Sequence, residues 1–130
     1  MGYVASINGY LTLKDKTIET NQDLVKKIRT YRDLDEDSSA LLDLMDYNEA
    51  FCVCKKDVGE GSALDISYYD NYNEDVWHEA LEDIKEEVEI GSVVECNGED
   101  DSHWRFILKP DGWYEEDGHI KYDEGRKIGG

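Results

Sequence analysis

The sequence predicts an α+β fold, in which an antiparallel sheet carries two main helices on one face, in a split βαβ-like order with a C-terminal β-meander. Several short stretches alternate apolar and polar residues, as strands do, and two longer stretches repeat apolar residues at helical spacing. Turns that contain Gly, Asn and Asp join the later strands, which favours antiparallel pairing. A length of 130 residues fits one domain, so we expect residues 1–130 to form a single acidic α+β domain.

The N-terminal part begins with a strand and a helix. Residues 3–13 place small or apolar side chains at every second position, which is the period of a strand. Asn21 is the expected cap of a helix with apolar residues at helical spacing, namely Leu24, Val25, Ile28 and Tyr31. The next segment, 33–49, contains seven acidic residues and a cluster of Leu and Met, and it predicts a short helix or an irregular connection.

A hairpin and the longest helix follow. Residues 51–56 and 63–69 are rich in strand-forming residues, and a glycine-containing turn joins them. The helix is expected to begin after a cap at Asn73 and to end before Gly91. Its apolar stripe consists of Val76, Trp77, Ala80, Leu81, Ile84 and Val88. Three further strands are predicted at residues 92–97, 103–109 and 113–122.

The negative charge is concentrated in one stretch. Residues 57–104 contain 16 acidic residues and one base, Lys85, and so carry −15 of the net charge of −18. Both flanking segments are close to neutral. Because a field of this size acts on partners and association rates rather than on the fold, the stretch is the best indication of function.

The acidic residues of the longest predicted helix share one face. With about 100° between successive residues, five carboxylates lie opposite the apolar stripe. These are Asp75, Glu79, Glu82, Glu86 and Glu89, with Asp83 and Glu87 along one flank. Like charges three or four residues apart destabilise a helix by about 0.2–0.5 kcal/mol per pair, so stability alone does not explain the pattern. An ordinary solvated face is the alternative interpretation.

The predicted partner-binding surface includes two further groups. One is an acidic loop, and the other is a pair of aromatic residues of the kind that anchor interfaces. They are Glu99, Asp100 and Asp101, and Tyr69 and Tyr72. A carboxylate every 4–5 Å or so along the helix approximates the spacing of phosphates along a DNA strand, roughly 3.4 Å. The surface is therefore expected to occupy a basic groove that normally binds nucleic acid.

Other residue patterns do not indicate catalysis or a cofactor. Residues 33–37 resemble the start of a calcium-binding loop, but the required glycine and final glutamate are missing. Cys52, Cys54 and Cys96 lack zinc-site spacing, and we interpret them as small buried strand residues with reduced thiols. No nucleophile elbow or phosphate loop is present. We therefore expect a protein that is not an enzyme, with no catalytic residue, no cofactor and no metal.

Both ends of the chain carry a resemblance. The start Met1-Gly2-Tyr3 and the later run from Gly98 to Phe106, with its acid-rich turn followed by Trp-Arg, resemble a family of small uncharacterised proteins of phages and their bacterial hosts. Such a family has no assigned chemistry. The resemblance implies one domain and a phage-related setting, and an anti-defence role follows by analogy only.

The leading hypothesis is a non-enzymatic acidic binding protein. It would be a phage anti-defence inhibitor of the anti-CRISPR kind, a nucleic-acid mimic whose partner is a basic nucleic-acid-binding protein such as a CRISPR effector or another nuclease. We expect no direct contact with nucleic acid or with a membrane. We expect a cytoplasmic location, which would be the cytoplasm of the host cell if a phage encodes the chain. The alternatives are a toxin immunity protein that blocks a cationic nuclease site, a metal-assisted hydrolase using the clustered carboxylates, and a structural or virion-associated module.

Overall fold

The structure is a computed structural model that describes residues 3–118 and 126–128. Within them the chain forms a seven-stranded sheet and short helices, which confirms the α+β class. The elements are β1 (Val4–Thr12), α1 (Asn21–Arg29), α2 (Ala40–Leu42), a π-helix (Asp43–Tyr47), β2 (Phe51–Lys55), β3 (Ser62–Asn71), α3 (Glu74–Ile84), β4 (Val93–Gly98), β5 (His103–Lys109), β6 (Gly112–Gly118) and β7 (Arg126–Lys127). The last predicted strand extended to residue 122, and its residues 119–122 lie outside the described part.

The strand order in the sheet is β2-β3-β1-β4-β5-β6-β7, and every neighbouring pair is antiparallel. The register decides which loops meet. Val4 pairs with Asn71, and Ala5 pairs with Gly98, so the start of β1 and the ends of β3 and β4 lie together. At the other end of β1, Leu13 forms a bridge with Val88.

Alternation along the strands builds the core. In β1 the side chains of Ala5, Ile7 and Leu11 are buried, as the two-residue period predicted. The helices contribute their apolar stripes, from Leu24 and Ile28 of α1 and from Trp77, Ala80, Leu81 and Ile84 of α3. The indole N–H of Trp113 in β6 donates a hydrogen bond to the Leu81 carbonyl oxygen at 2.8 Å, which fixes α3 on the sheet.

The first helix begins one residue earlier than predicted. Thr20 is the N-cap, and it forms a capping box with Asp23, in which each side chain bonds to the other residue's backbone N–H. Asn21, the expected cap, instead bonds to strand β2. It donates to the Phe51 carbonyl oxygen at 3.2 Å and accepts from the Val53 N–H at 2.7 Å.

Helix α3 begins at the predicted cap but ends much earlier than expected. The Asn73 side chain accepts a hydrogen bond from the Val76 N–H, and the last helical residue is Ile84. The following backbone pairs with the end of β1, since Lys14 N–H donates to the Glu87 carbonyl oxygen at 2.9 Å. This long-range pairing replaces the last helical turn that the local sequence predicted.

Segment 33–49 is the irregular connection that the sequence allowed. It contains the three-residue α2 and then one π-helical turn, closed by a hydrogen bond from Asn48 N–H to the Asp43 carbonyl oxygen at 3.0 Å. Its Leu and Met residues are buried. Among the described residues, no helix combines the length and the apolar character needed to cross a membrane.

Candidate functional site

The early end of α3 divides the predicted acidic ridge. Asp75 and Glu79 are exposed on the helix, and Glu82 is half-buried with one oxygen 3.0 Å from the Lys85 ammonium group. Glu86 and Glu89, although exposed, follow the helix and lie near the far end of β1. The five carboxylates therefore do not form one continuous ridge.

Asp83 was predicted to flank the exposed ridge, and this is wrong. Its side chain is buried, and one carboxylate oxygen lies 2.6 Å from the Arg32 Nε. Burial raises the pKa of Asp83, and the nearby Arg32 opposes that shift. Arg32 lies 51 positions before Asp83 in the chain, so the helical pattern alone could not reveal the Arg32–Asp83 ion pair.

Glu87 was predicted on the same flank, and it too is buried. Its carboxylate accepts a hydrogen bond from the Tyr31 hydroxyl at 2.7 Å, and the Lys27 ammonium lies 3.9 Å away. Lys27 in turn pairs with Asp15 at 2.8 Å. Glu87 thus joins α1 to the segment after α3, and its role is structural.

Glu79 also has a structural contact. Its carboxylate accepts a hydrogen bond from the Ala40 backbone N–H at 2.9 Å, at the first residue of α2. This bond satisfies a donor that the start of a helix leaves without an intrahelical partner. Asp75 is the other exposed carboxylate of the predicted ridge that lies on α3. No hydrogen bond or ion pair with another part of the protein is described for it.

The strand register brings a different set of carboxylates together. The end of β3, the first turn of α3, the β4–β5 turn and the end of β6 all lie at one end of the sheet. We call this the acidic end, and its exposed carboxylates are Asp70, Glu74, Asp75, Glu99, Asp100, Asp101 and Asp117. The predicted loop and Asp75 belong to it, whereas Asp70, Glu74 and Asp117 were not predicted.

The predicted acidic loop is held in a fixed conformation. The Tyr3 hydroxyl donates a hydrogen bond to Asp100, and the Glu99 N–H donates to the Val4 carbonyl oxygen at 3.0 Å. The Tyr3 hydrogen bond lowers the pKa of the Asp100 carboxyl. At Gly98 an added Cβ would lie 1.5 Å from the Tyr3 hydroxyl oxygen, so this contact requires glycine.

The two predicted tyrosines differ in exposure. Tyr69 is 79% exposed at the acidic end and is available to a partner. Tyr72 was predicted as an interface anchor, but its ring is half-buried and lies 5.2 Å from the Trp104 ring, centroid to centroid. Its hydroxyl is buried, so packing within the protein accounts for this side chain.

The cysteines follow the alternation of their strands. Cys96 is buried, as predicted, but Cys52 is exposed and Cys54 is half-buried. The prediction was wrong for these two because Phe51 and Val53 occupy the buried side of β2. All three thiols are free, and burial raises the pKa of Cys54 and Cys96.

One set of possible metal ligands occurs among the described residues. It comprises Glu74 and His78 of α3 and Glu115 of β6, whose ligand atoms all lie within 4.8 Å of one another. The sequence did not predict this set. The four-residue spacing of Glu74 and His78 could have indicated the first pair, but the contribution of Glu115 depends on the tertiary fold.

No protein family model, no curated protein and no solved structure matches this chain. The resemblance to phage and bacterial proteins stays a prediction.

Proposed function

We propose that this protein is a non-enzymatic binding protein whose acidic end occupies a basic nucleic-acid-binding surface of another protein. It acts in the cytoplasm as a nucleic-acid mimic, as expected of a phage anti-defence inhibitor of the anti-CRISPR kind. The observation that carries the proposal is the convergence of seven exposed carboxylates from four chain segments at one end of the sheet.

The charge at this end has no balancing bases in the segments that form it. Residues 69–75, 98–103 and 117–118 contain no lysine or arginine. A cluster of negative charges without nearby positive ones raises the rate at which a basic partner associates, and it repels acidic competitors. Tyr69 supplies an exposed aromatic ring beside them, of the kind that slows dissociation once the partner is bound.

The position of the charge differs from that in the sequence prediction. The helix contributes its first turn, and the β4–β5 turn supplies three of the seven carboxylates. A hydrogen bond from the Tyr3 hydroxyl to Asp100, and one from the Glu99 N–H to the Val4 carbonyl oxygen of β1, hold this turn before a partner arrives. Such preorganisation reduces the entropy cost of binding.

A matched pair of triple variants tests the proposal. In the first, Asp75→Asn, Glu99→Gln and Asp101→Asn remove three charges from the acidic end. In the second, Glu60→Gln, Glu86→Gln and Glu89→Gln remove three exposed charges near the opposite end of β1. Each protein is immobilised, host lysate is passed over it, and bound proteins are eluted with duplex DNA and identified by mass spectrometry.

The wild type and the opposite-end triple should capture the same basic nucleic-acid-binding protein, and duplex DNA should displace it. The acidic-end triple should capture at least about tenfold less, the equivalent of 1.4 kcal/mol. Equal capture by the two triple variants, or a captured protein that duplex DNA does not displace, would contradict the proposal. A captured toxin nuclease would support the immunity-protein form of the same mechanism.

We also infer that the first four strands, with α1 and α3, follow the split βαβ plan, with both helices on one face and β5–β7 as an added meander. The order β2-β3-β1-β4 and its antiparallel pairing support this inference.

A further inference from the structure

We propose that Glu74, His78 and Glu115 form a site for a divalent transition-metal ion, with Zn²⁺ as the best-fitting ion. The site lies where the first turns of α3 meet β6. It shares the exposed Glu74 with the acidic end, whereas His78 and Glu115 lie outside that surface, and it does not depend on the proposed nucleic-acid mimicry.

The distances between the donor atoms fit a metal ion. The His78 Nε2 lies 3.3 Å from one Glu115 oxygen and 3.7 Å from one Glu74 oxygen. Zinc binds nitrogen and oxygen at about 2.0–2.2 Å, so two ligands of a tetrahedral ion are about 3.4 Å apart. Binding an ion between these three side chains therefore requires only a small movement of the ligands. The exposed Glu74 side chain is free to make that movement.

Rigid elements hold two of the three ligands. Glu115 is 8% exposed within the central part of β6. The His78 ring is half-buried and stands edge-on against the Phe106 ring, with the ring centroids 5.6 Å apart. A site on helices and strands that already hold their side chains loses little entropy when a ligand binds.

The surroundings favour positive charge at this position. A cation placed beside the His78 Nε2 would lie next to the carboxylates of both Glu115 and Glu74. Nearby, the Tyr72 hydroxyl is buried and makes no hydrogen bond within the described part of the chain.

The donor types select the class of metal. An imidazole nitrogen favours zinc and other transition metals, whereas Mg²⁺ and Ca²⁺ prefer oxygen ligands alone. Three protein ligands leave the fourth tetrahedral position for water. This distinguishes the site from structural zinc sites, in which four protein ligands surround the ion.

Calorimetric titration with Zn²⁺ tests the site in the full chain, near neutral pH, at physiological ionic strength and with excess Mg²⁺ to occupy the general acidic surface. Wild type should bind one Zn²⁺ per chain, and bound Co²⁺ should show the intense visible absorption of a tetrahedral ion. His78→Ala should weaken Zn²⁺ binding by about 100-fold or more, since even loss of a supporting residue costs about 10–100-fold.

His103→Ala is the matched control, because it removes another histidine at the same end of the sheet and should leave the affinity unchanged. Glu74→Gln removes an exposed ligand without disturbing the core, and it should also weaken binding if His78→Ala does not fold. Absence of Zn²⁺ binding by the wild type, or equal affinity in the wild type and Glu74→Gln, would overturn the proposal. The acidic-end triple variant keeps all three ligands, so the metal site and the proposed function can fail separately.

Discussion

Individual carboxylates of the acidic stretch have different roles, which their surroundings decide. Glu86 and Glu87 are adjacent in the sequence, yet Glu86 is exposed and Glu87 is buried against Tyr31. A buried ionised carboxylate is costly unless it is paired and hydrogen-bonded. Glu87 meets that requirement through Tyr31 and Lys27, so its charge serves the fold rather than a partner.

The pair Glu86 and Glu87 provides a stability test at this scale. Glu87→Ala should lower the free energy of unfolding by about 1–3 kcal/mol, because the Tyr31 hydroxyl and Lys27 lose their shared acceptor. Glu86→Ala should change it by less than about 0.5 kcal/mol. Urea denaturation followed by circular dichroism measures both values. Similar effects of the two substitutions would contradict the structural role of Glu87.

At the scale of the elements, alternation and helical spacing predicted the strands and the two main helices because these are local properties. The buried positions of β1 and the Asn73 cap of α3 are examples. The end of α3 could not be predicted, since the backbone of Glu87 pairs with Lys14, far away in the chain. For the same reason the sequence did not reveal that the end of β6 joins the acidic loop.

The capping box of α1 predicts how the stability of the protein depends on pH. The Glu19 N–H, and then the Thr20 hydroxyl and N–H, lower the pKa of Asp23 below its unfolded value of about 3.9. A carboxyl with a lowered folded pKa stabilises the protein above its unfolded pKa, and this contribution is lost as the pH falls through the folded pKa. Asp23→Asn should therefore destabilise the protein at neutral pH.

Urea midpoints of the wild type and Asp23→Asn, measured from neutral pH down to about pH 3, test this linkage. The difference between the two proteins should be constant above about pH 5 and should shrink as the pH falls below about 4. A difference that does not change with pH would mean that the charge of Asp23 contributes nothing to the cap.

At the scale of the whole molecule, the question is whether the net charge of −18 or its placement attracts a partner. Net charge acts from a distance in any orientation, whereas a local cluster orients the encounter. The two triple variants carry the same net charge and differ only in which end of the sheet has lost three carboxylates. They therefore separate the two effects.

The rate of association with the captured partner, measured by biolayer interferometry over a range of salt concentrations, decides between them. If the acidic end steers the encounter, its triple variant should associate about tenfold more slowly than the opposite-end triple at low salt. The two rates should converge towards 1 M salt, where the screening length falls to about 3 Å. Equal slowing of both variants would assign the attraction to net charge, and a wild-type rate that does not depend on salt would assign it to apolar contacts such as those of Tyr69.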